Sequence, residues 1–428
     1  MVKEFNTISM IGLGYIGLPT AAMFASRKIK VIGVDVNQSA VDTINKGQIH
    51  IVEPELDMII GAAVSQGFLR ATTKPESADA FLIAVPTPFK DDHEPDLSYV
   101  ESAAKSIALV IKKGDLVILE STSPVGATEQ MADWLASARP DLTFPQQVGE
   151  KADINIAYCP ERVLPGRVVQ ELVNSDRIIG GMTHRCSSRA IGLYKTFVEG
   201  QCIETNARTA EMCKLTENSF RDVNIAFANE LSMICEKLKI NVWELIGLAN
   251  YHPRVGILQP GPGVGGHCIA VDPWFIVNKT PKEAKLIRAA REVNDSKPGW
   301  VVDKVKGAIT NLLEDRGQKL VEEGVTVACF GLAFKADIDD LRESPAVEIA
   351  QKINDLNLGD LLLVEPNISF LPDVFNGHGR VELVTIKAAL ERSQIIILLV
   401  DHWEFKQMQT EELRGKTIID TRGIWKEK

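Results

Sequence analysis

The chain has 428 residues, 45% of them hydrophobic and 24% charged, which is the composition of a globular protein large enough for two or three domains. Its formal net charge of −10 leaves no basic surplus to neutralise phosphates, and this argues against nucleic-acid binding. No apolar run reaches the roughly 20 residues that span a bilayer, and the N-terminus enters a glycine motif instead of a signal-peptide cleavage site. We therefore expect no membrane insertion and a cytoplasmic location.

The first 205 residues alternate short β-branched segments with segments of helical spacing. Five segments are expected to form buried strands that end in turn-forming or ligand-type residues: TISMIGLG, KVIGVDV, AFLIAVPTP, LVILESTSP and NIAYCPE. Helical spacing appears between them, as in YVESAAKSIALVIKK. This alternation is typical of a parallel, doubly wound sheet and predicts a first α/β domain over residues 1–205.

The middle of the chain differs because residues 209–239 contain neither Gly nor Pro and are expected to form one helix of about 45 Å. Helices of that length commonly connect domains or pair with a second subunit, so residues 206–300 are assigned to a central helical region. After Pro298 the alternation resumes in TVACFGLAFK, LLLVEPNI, IIILLVD and TIIDTRG, which predicts a second domain over residues 301–428. The predicted fold class is α/β, with two doubly wound Rossmann-like domains joined by a long central helix.

The sequence GLGYIG at residues 12–17 follows the first predicted strand and opens a helical pattern. A second strand ends in Asp35, 18 residues after Gly17, which completes the fingerprint of a dinucleotide site. Asp35 can accept hydrogen bonds from ribose hydroxyls, and its charge would repel a 2′-phosphate, so NAD is favoured over NADP. A glycine turn that binds no nucleotide is the alternative. The expected cofactor contacts within the turn are Gly12, Gly14, Tyr15, Ile16 and Gly17.

Hydroxyl side chains follow two other predicted strands, at Thr87 in VPTP and Thr122 in STSP. Ligands of open α/β sheets bind at the carboxyl ends of the strands, so both threonines are candidate NAD contacts. Thr128, further along the second loop, is a weaker candidate. Capping of the following helices is the alternative explanation for each hydroxyl.

The seven cysteines are scattered without a CxxC pair, which argues against a disulfide framework and against a zinc site. Cys268 differs from the others because it follows QPGPGVGGH, a glycine-rich loop that lets backbone approach a ligand closely. It opens an apolar segment whose amides, if helical, would favour a reactive thiolate, and Asp272 would then face the same side. A buried cysteine without chemical function is the alternative.

The predicted central helix carries three polar side chains at helical spacing, Lys214, Asn218 and Arg221. A lysine held near a thiolate and a substrate alcohol could stabilise developing negative charge. A solvated helix face is the alternative. Glu161, at the end of the strand in YCPERVLPG, is a candidate acid/base or water-orienting group, with Arg162 beside it.

Seven motifs occur in order along the whole chain: GLGYIG, VPTP, STSPVG, CPERVLPG, KLTENSFRDVNIAFANE, GPGVGGHCIAVDP and GLAFKADIDDLRESPA. Together they resemble the UDP-sugar 6-dehydrogenases. The resemblance implies a four-electron oxidation of a sugar C6 alcohol to an acid with two NAD, through a thiohemiacetal and a thioester on Cys268. It implies that Lys214 acts as general acid/base, that Asn218 helps to hold the substrate, and that Thr122, Glu161 and Asp272 position water or move protons.

The resemblance also implies a UDP-N-acetylhexosamine substrate, because His267 stands where UDP-glucose enzymes commonly carry Ser. Arg342 is expected to reach NAD, and His252 or Arg254 is expected near the acetamido group. Since the family is commonly dimeric through the central helix, a homodimer is expected. The implied substrate-binding residues are Arg162, Val163, Lys214, Asn218, Arg221, His252, Arg254, Gly265, Phe334, Lys335 and Arg422.

Three alternatives stay open from the sequence. Within the class, UDP-N-acetylglucosamine or UDP-glucose could be the substrate. A non-catalytic NAD-binding scaffold or sensor would keep the fold without turnover. A two-electron alcohol dehydrogenase would stop at the aldehyde. The last two give Cys268 no role.

Overall fold

The computed structural model of the protein describes residues 5–51, 53–163, 166–266, 268–316, 324–357, 359–377 and 380–425. The chain divides into two compact units. The first consists of Met1–Glu217 with Asn278–Pro281, and the second of Asn218–Val277 with Lys282–Lys428.

The first unit is built on one sheet of short strands. In chain order they are β1 (Thr7–Ile11), β2 (Lys30–Val34), β3 (Leu69–Thr72), β4 (Ala80–Ile83), β5 (Leu116–Leu119), β6 (Asn155–Tyr158), β7 (Arg177–Gly181) and β8 (Cys202–Asn206). The sheet order is β3-β2-β1-β4-β5-β6-β7-β8, and only the β6–β7 pair is antiparallel among these strands. The chain order reverses at β1, which is where doubly wound sheets bind dinucleotides.

Helices cover both faces of this sheet. They are α1 (Gly17–Ser26), α2 (Gln38–Asn45), α3 (Leu56–Ser65), α4 (Ser98–Ala108), α5 (Ala127–Ala138), α6 (Pro145–Val148), α7 (Val168–Asn174) and α8 (His184–Tyr194). Strand β5 shows why a continuous apolar run suits this position. Leu116 and Ile118 pack into one apolar cluster and Val117 and Leu119 into another, so both faces of the strand are buried.

A single helix of 32 residues, α9 (Ala207–Leu238), carries residues of both units, as the segment without Gly and Pro predicted. The helices after it are α10 (Val242–Ala249), α11 (Asp272–Lys279), α12 (Lys285–Arg316), α13 (Pro345–Asp355), α14 (Ile386–Arg392) and α15 (Trp403–Lys406). Among the described residues, none of the helices combines the length and the hydropathy that a bilayer crossing requires.

The second unit contains a five-stranded sheet. Its strands are β9 (Val327–Phe330), β10 (Leu361–Val364), β11 (Val381–Leu383), β12 (Ile395–Leu398) and β13 (Thr417–Asp420). They are ordered β11-β10-β9-β12-β13, and all neighbours are parallel. This arrangement is again doubly wound, so the predicted fold class of two Rossmann-like sheets and a long central helix is confirmed.

Pro298 does not separate a helical region from the second sheet, as its position in the sequence suggested. It lies inside α12, which continues to Arg316. The helix tolerates the lost backbone hydrogen bond because Val301, Val305 and Ile309 beyond the proline are buried in the core of the second unit. The predicted boundary after residue 300 falls within this helix, and the division into three regions stays a prediction.

Candidate active site

The glycine turn between β1 and α1 has no room for a side chain at two of its three glycines. Gly12 has a φ of +91°, and a Cβ there would lie 2.4 Å from the carbonyl oxygen of Ala84. A Cβ on Gly17 would lie 1.9 Å from the carbonyl oxygen of Gly12. At Gly14 a Cβ would meet no described atom within 4 Å. The turn is therefore open where a pyrophosphate would approach the start of the helix.

Asp35 directly follows β2 and is fixed beside this turn. Its carboxylate accepts hydrogen bonds from the amides of Leu13 at 2.9 Å and Asn37 at 2.9 Å. The residue is half-buried, so its oxygens can also accept hydrogen bonds from ribose hydroxyls. Tyr15, which is 40% exposed, and Ile16 stand between the open glycine and the helix. This arrangement fits an adenine dinucleotide without a 2′-phosphate.

The loops after β4 and β5 are joined at the carboxyl end of the sheet. The Thr87 hydroxyl donates to the carbonyl oxygen of Thr122 at 2.5 Å. The Ser121 hydroxyl accepts from the amide of Val85 at 2.9 Å and donates to its carbonyl oxygen at 2.7 Å. The structure thus brings Thr87 and Thr122 together, and their contact with NAD stays a prediction.

Thr128, the weaker candidate for an NAD contact, has a partner inside the protein. It is fully buried, and its hydroxyl donates to Glu211 Oε1 at 2.6 Å. The carboxylate of Glu211 also accepts from the amides of Gly126 and Thr128, so a buried acid from α9 caps the start of α5. Burial raises the pKa of Glu211, and these hydrogen bonds oppose the rise. The Thr128 side chain is thus engaged in the protein interior, and its contact with NAD stays a prediction.

Glu161 is held by three donors just after β6. Oε1 accepts from the amides of Arg162 at 2.6 Å and Val163 at 3.1 Å, and Oε2 lies 3.1 Å from Arg177 Nη2. Glu161 and Arg177 are 7% and 4% exposed. A carboxylate fixed in this way can orient a water molecule in one direction. The sequence did not point to Arg177, because its partner lies 16 residues away and no short motif contains both.

A buried cluster of titratable groups surrounds Arg177. Its Nη1 lies 3.7 Å from Cys159 Sγ, and its guanidinium carbon lies 4.8 Å from the ring centroid of Tyr194. The Tyr194 hydroxyl donates to Glu120 at 2.5 Å. Burial raises the pKa of Glu120 to about 7, although the charge of Arg177 opposes the rise. Burial likewise raises the pKa of Cys159 to about 12, so this thiol is not a nucleophile near neutral pH.

The polar face of α9 divides into three environments. Lys214 is half-buried, Asn218 is 7% exposed, and Arg221 is exposed. Asn218 Nδ2 donates to Asp272 Oδ2 at 2.5 Å, and Asp272 is 3% exposed. This buried pair fixes the start of α11 to α9. Asn218 lies one helical turn after Lys214 on α9.

Cys268 is exposed, in contrast to the buried cysteine that was the alternative. Its carbonyl oxygen accepts from the amides of Val271 at 3.1 Å and Asp272 at 2.9 Å, which forms a turn that leads into α11. The helix begins at Asp272, so the thiol precedes it by one turn and does not open it as expected. His267 lies outside the described residues.

The glycines before Cys268 pack closely against the segment that contains Phe334 and Glu343 in the second unit, which leaves no room for side chains. A Cβ on Gly265 would lie 2.4 Å from the carbonyl oxygen of Glu343 and 3.0 Å from Phe334 Cβ. Gly266 has a φ of +82°, and its amide donates to the same carbonyl at 3.3 Å. Close approach was expected towards a ligand. In the structure the carbonyl of Glu343 and the side chain of Phe334 lie where side chains on these glycines would be, and the approach to a ligand stays a prediction.

A buried polar network fixes the start of the loop. The amide of Gly261 donates to Asn229 Oδ1 at 2.8 Å, and Asn229 Nδ2 donates to Asn294 Oδ1 at 2.9 Å. Asn294 Nδ2 and Arg291 Nη1 then both donate to Asp222 Oδ1, at 2.8 and 2.6 Å. Sequence reasoning missed this network. The available signal was Asn229, a polar residue within the apolar stretch IAFANEL.

Two of the residues matched to the substrate site border this loop. Phe334 packs against Gly265, and Arg422 Nη1 lies 2.6 Å from the position a Cβ would take on Gly261. Arg422 also donates to Asp401 Oδ1 through Nε at 2.9 Å and Nη2 at 2.6 Å. Lys335 is exposed. The structure therefore brings Gly265, Phe334 and Arg422 to one loop of the second unit.

Four further matched residues are exposed at the surface. Exposed His252 and Arg254 follow α10, and the Arg254 amide donates to His252 Nδ1 at 3.3 Å. Arg162 pairs with Glu217 at 2.8 Å, and Arg342 pairs with Asp340 at 2.7 Å. Contacts of these residues with substrate or NAD stay predictions.

Family models cover most of the chain. The models for the UDP-glucose/GDP-mannose dehydrogenase family match in three parts: the NAD binding domain at residues 6–198, the central domain at 208–296 and the UDP binding domain at 328–427. The glycine turn and Asp35 lie in the first match, Cys268 and Asp272 in the second, and Phe334 and Arg422 in the third.

Individual relatives match over nearly the full length. The chain is 67% identical to a UDP-N-acetyl-D-mannosamine dehydrogenase from Yersinia pestis over 99% of this chain and 100% of that protein. It is 64% identical to an NDP-N-acetyl-D-galactosaminuronic acid dehydrogenase from Ralstonia nicotianae, over 99% of this chain and 97% of that protein. The solved structure of a UDP-D-ManNAc dehydrogenase from Pyrococcus horikoshii has a TM-score of 0.86 at 39% identity, and covers 99% of this chain and 96% of its own.

Proposed function

Because the chain belongs to the UDP-glucose/GDP-mannose dehydrogenase family, we propose that it oxidises UDP-N-acetyl-D-mannosamine at C6 to the corresponding uronate. The protein is an NAD-dependent oxidoreductase of nucleotide sugars. The observation that carries the complete four-electron oxidation is Cys268, an exposed thiol at the end of a loop that glycine packing holds in place. A dehydrogenase that stopped at the aldehyde would need no such group.

The choice of sugar rests on the relatives. The 67% identical protein from Yersinia pestis is named for N-acetyl-D-mannosamine, and the 64% identical protein from Ralstonia nicotianae for N-acetyl-D-galactosaminuronic acid. The second name supports an N-acetylgalactosamine nucleotide as the second candidate substrate. UDP-N-acetylglucosamine and UDP-glucose are the further alternatives. The product would supply a uronic acid for a surface polysaccharide.

The first unit offers the groups that would hold NAD. Gly14 leaves the turn open to a pyrophosphate, and Asp35 presents carboxylate oxygens to a ribose. Thr87 and Thr122 stand at the neighbouring strand ends, and Arg342 of the second unit is a further proposed contact. When bound, NAD accepts a hydride from C6 in each of the two oxidations.

In the first oxidation the chain must remove the proton of the C6 hydroxyl. Lys214 is the proposed base, since it projects from α9 one turn before the buried Asn218–Asp272 pair. Lys214 is half-buried, and among the described residues of its own unit no carboxylate pairs with it, so its amine nitrogen can accept the hydroxyl proton of the substrate. Asn218 would hold the sugar oxygen, and the alcohol becomes an aldehyde.

In the second oxidation Cys268 supplies a covalent bond. Its sulfur adds to the aldehyde carbon, and the oxygen takes a proton to give a thiohemiacetal. Loss of hydride from carbon and of a proton from oxygen leaves a thioester. Water then attacks the thioester carbonyl, the carbon–sulfur bond breaks, and the thiol is regenerated with the free acid. Glu161 and Asp272 are the carboxylates proposed to orient that water. Thr122, which follows the strand next to that of Glu161, is proposed to assist them.

The nucleotide of the substrate is proposed to lie along the second unit. Arg422 and Lys335 supply positive charge for a pyrophosphate, and Phe334 and Gly265 shape the adjoining loop. Further proposed contacts with the nucleotide sugar are Arg162, Val163, Arg221, His252 and Arg254. The division into an NAD-binding domain (1–205), a central region (206–300) and a UDP-sugar-binding domain (301–428) is part of the proposal.

A homodimer is proposed on the apolar surface of α9. Phe220, Phe227, Ile234 and Leu238 are 68%, 54%, 44% and 62% exposed, and their spacing of seven, seven and four residues places them along one helix face. Exposed apolar rows of this kind usually bury against another chain. Sedimentation at micromolar concentration should give a dimer, and Phe227→Glu should shift it to monomer.

We also propose a cytoplasmic location, since the charged substrates do not cross membranes unaided.

The test of the proposed function is a comparison of substrates with purified protein. UDP-N-acetylmannosamine should give two NADH per sugar, with the highest kcat/KM among the N-acetylmannosamine, N-acetylgalactosamine, N-acetylglucosamine and glucose nucleotides. A higher kcat/KM for another sugar would replace the proposed substrate and leave the chemistry intact. An end point of one NADH with free aldehyde would contradict the thioester mechanism.

A further inference from the structure

A cavity of about 470 Å³ lies in the second unit, and its wall contains none of the residues assigned above to the nucleotide sugar. Its walls come from the C-terminal part of α9, the start of α10, α12 and the end of β13. The apolar part of the wall is formed by Ile240, Val242, Trp243, Trp300 and Ile419. A concave site of this size with mixed apolar and charged walls is typical of small-molecule binding.

One charged group in this wall is deeply buried. Lys297 is 2% exposed, and its Nζ donates to the Ser232 hydroxyl and lies 3.7 Å from the ring centroid of Trp300. Among the described residues no carboxylate oxygen lies within 4 Å of this nitrogen. An ammonium group has three protons to donate, and the hydroxyl and the indole face account for two of them.

The other charged groups of the cavity do not pair directly with Lys297. Glu236 pairs with Lys304 at 2.7 Å, and Lys239 is exposed. The Asp420 carboxylate accepts from the amides of Arg422 and Gly423 through one oxygen and from that of Trp425 through the other. Burial and the charge of Lys304 lower the pKa of Lys297 to about 7, and Glu236 opposes this. Among the described residues, the cavity wall therefore contains one buried ammonium group that pairs with no carboxylate.

We propose that this cavity binds a small molecule that carries one carboxylate on a flat, apolar body. The carboxylate pairs with Lys297, because a single unpaired ammonium matches a single negative charge and a polyanion would meet no further unpaired cation in the buried part of the wall. The flat body lies against the indole rings of Trp243 and Trp300. The ligand is distinct from the nucleotide sugar, since none of the residues assigned to that substrate lines the cavity.

The cavity has a direct structural link to the loop that carries Cys268. Gly261 forms part of its wall and begins that loop, and the Gly261 amide is held by Asn229. The Ser232 hydroxyl, which accepts from Lys297, in turn donates to the carbonyl oxygen of Asn229 at 2.6 Å. An occupant that binds Lys297 thus acts on the same residue of α9 that positions the loop. This link makes the site suited to a ligand that modulates the enzyme.

The test uses benzoate as the probe, with acetate as a carboxylate that lacks the ring. Titration of the full-length protein by calorimetry and tryptophan fluorescence at pH 6 should give saturable benzoate binding, at least tenfold tighter than acetate. Because the bound carboxylate requires a protonated Lys297, the Kd should weaken about tenfold between pH 6 and pH 8. Lys297→Met should abolish binding, whereas Lys306→Met, an exposed lysine on the same helix and outside the cavity, should leave it unchanged.

A second variant protects the test against loss of folding. Trp300→Leu keeps the ammonium and removes part of the flat wall, so its Kd for benzoate should approach that for acetate. Benzoate binding that survives in Lys297→Met would overturn the proposal, as would binding that is equal at pH 6 and pH 8. Displacement of benzoate by UDP would assign the cavity to the substrate's own nucleotide and overturn the proposal as well. These readouts involve no turnover, so their failure is distinguishable from failure of the proposed function.

Discussion

The two sheets share the same core topology and the same acid position, yet only the first has an open dinucleotide turn. In each, a central strand is followed by a glycine with positive φ, Gly12 at +91° and Gly331 at +92°. In each, the neighbouring strand is followed by an acid, Asp35 or Glu365, that accepts from the amide after that glycine. The amide two residues beyond the acid also donates to it in both sheets.

The surroundings of the two acids differ. Asp35 is half-buried and faces an open turn at Gly14, whereas Glu365 is 4% exposed. Glu365 Oε2 accepts from the amides of Leu332 and Ala333 and lies 2.9 Å from His402 Nε2. His402 Nδ1 accepts from the Asp337 amide, which assigns the ring proton to Nε2. The comparison shows that topology alone does not make a dinucleotide site; the acid must be left accessible.

The largest expected effect is a loss of stability when Glu365, the buried acid of the second sheet, is removed. Glu365→Ala leaves two buried amides and the His402 ring without their acceptor, so we expect a loss of about 3 kcal/mol. Thermal unfolding measures this loss, and NAD affinity should stay unchanged. If Glu365→Ala were as stable as the unmodified protein, the hydrogen bonds from Leu332 and Ala333 to Glu365 would not stabilise the turn after β9.

The two positive-φ glycines should be about equally sensitive in stability and different in function. A Cβ at Gly331 would lie 2.4 Å from Val400 Cβ, as close as the contact at Gly12. Alanine at either position should cost roughly 2 kcal/mol or more, since the strained φ and the contact act together. Only Gly12→Ala should abolish NAD binding, measured by fluorescence titration. Loss of NAD binding in Gly331→Ala would contradict the assignment of NAD to the first turn alone.

Buried acids of the two units should respond to pH in opposite directions. The pKa of Glu120 is raised by burial to about 7, so its contribution to stability is present below its ordinary value of 4.5 and lost as the pH rises through 7. Burial alone would raise the pKa of Glu365, but the His402 hydrogen bond and the backbone amides lower it. Its contribution is therefore present above pH 4.5 and lost as the pH falls through the lowered value.

Glu120→Gln makes this contrast measurable. In the unmodified protein, the titration of Glu120 should lower the free energy of unfolding by at most about 1.4 kcal/mol per pH unit between pH 5 and pH 7. This decrease should be absent from Glu120→Gln. Unfolding free energies at several pH values test this, with Glu365→Gln as the variant of opposite sign. An unchanged pH profile in Glu120→Gln would show that this group does not titrate in that range.

The smallest expected effect concerns the accessible acid. Asp35→Ser should weaken NAD about tenfold, or about 1.4 kcal/mol, and strengthen NADP, because it removes the charge that repels a 2′-phosphate. Its stability should change little. Asp42→Ser, at an exposed position of α2, is the matched control. Unchanged preference for NAD in Asp35→Ser would place the selection elsewhere.

Sequence reasoning succeeded where the determining contacts are local. The pairing of Leu13 with Asp35 arises within one β-α-β unit, so the spacing GLGYIG…Asp35 predicted it. Long apolar runs likewise predicted the central strands. Four strands were missed. Strands β3, β8 and β11 carry exposed residues, as in CIETN of β8, and β7 begins with an arginine and ends in two glycines.

The site residues that were missed depend on distant partners. Arg177 acquires its role from Glu161 and Cys159, Asn229 from Asn294 and Gly261, and Glu365 from His402, 37 residues away. Nothing in the nearby sequence specifies which segments will meet. The hydroxyl partner of Thr128 was missed for the same reason, since Glu211 is 83 residues further along the chain.

Cys268 is proposed to carry the second oxidation, and the number of NADH formed per sugar at the end point is the decisive measurement of that role. With limiting UDP-N-acetylmannosamine and excess NAD, the unmodified protein and the Cys202→Ser control should each form two NADH per sugar. Cys268→Ala should bind NAD normally and form at most one, with aldehyde as the product. Formation of two NADH per sugar by Cys268→Ala would contradict the account, because the acid would then arise without the thioester.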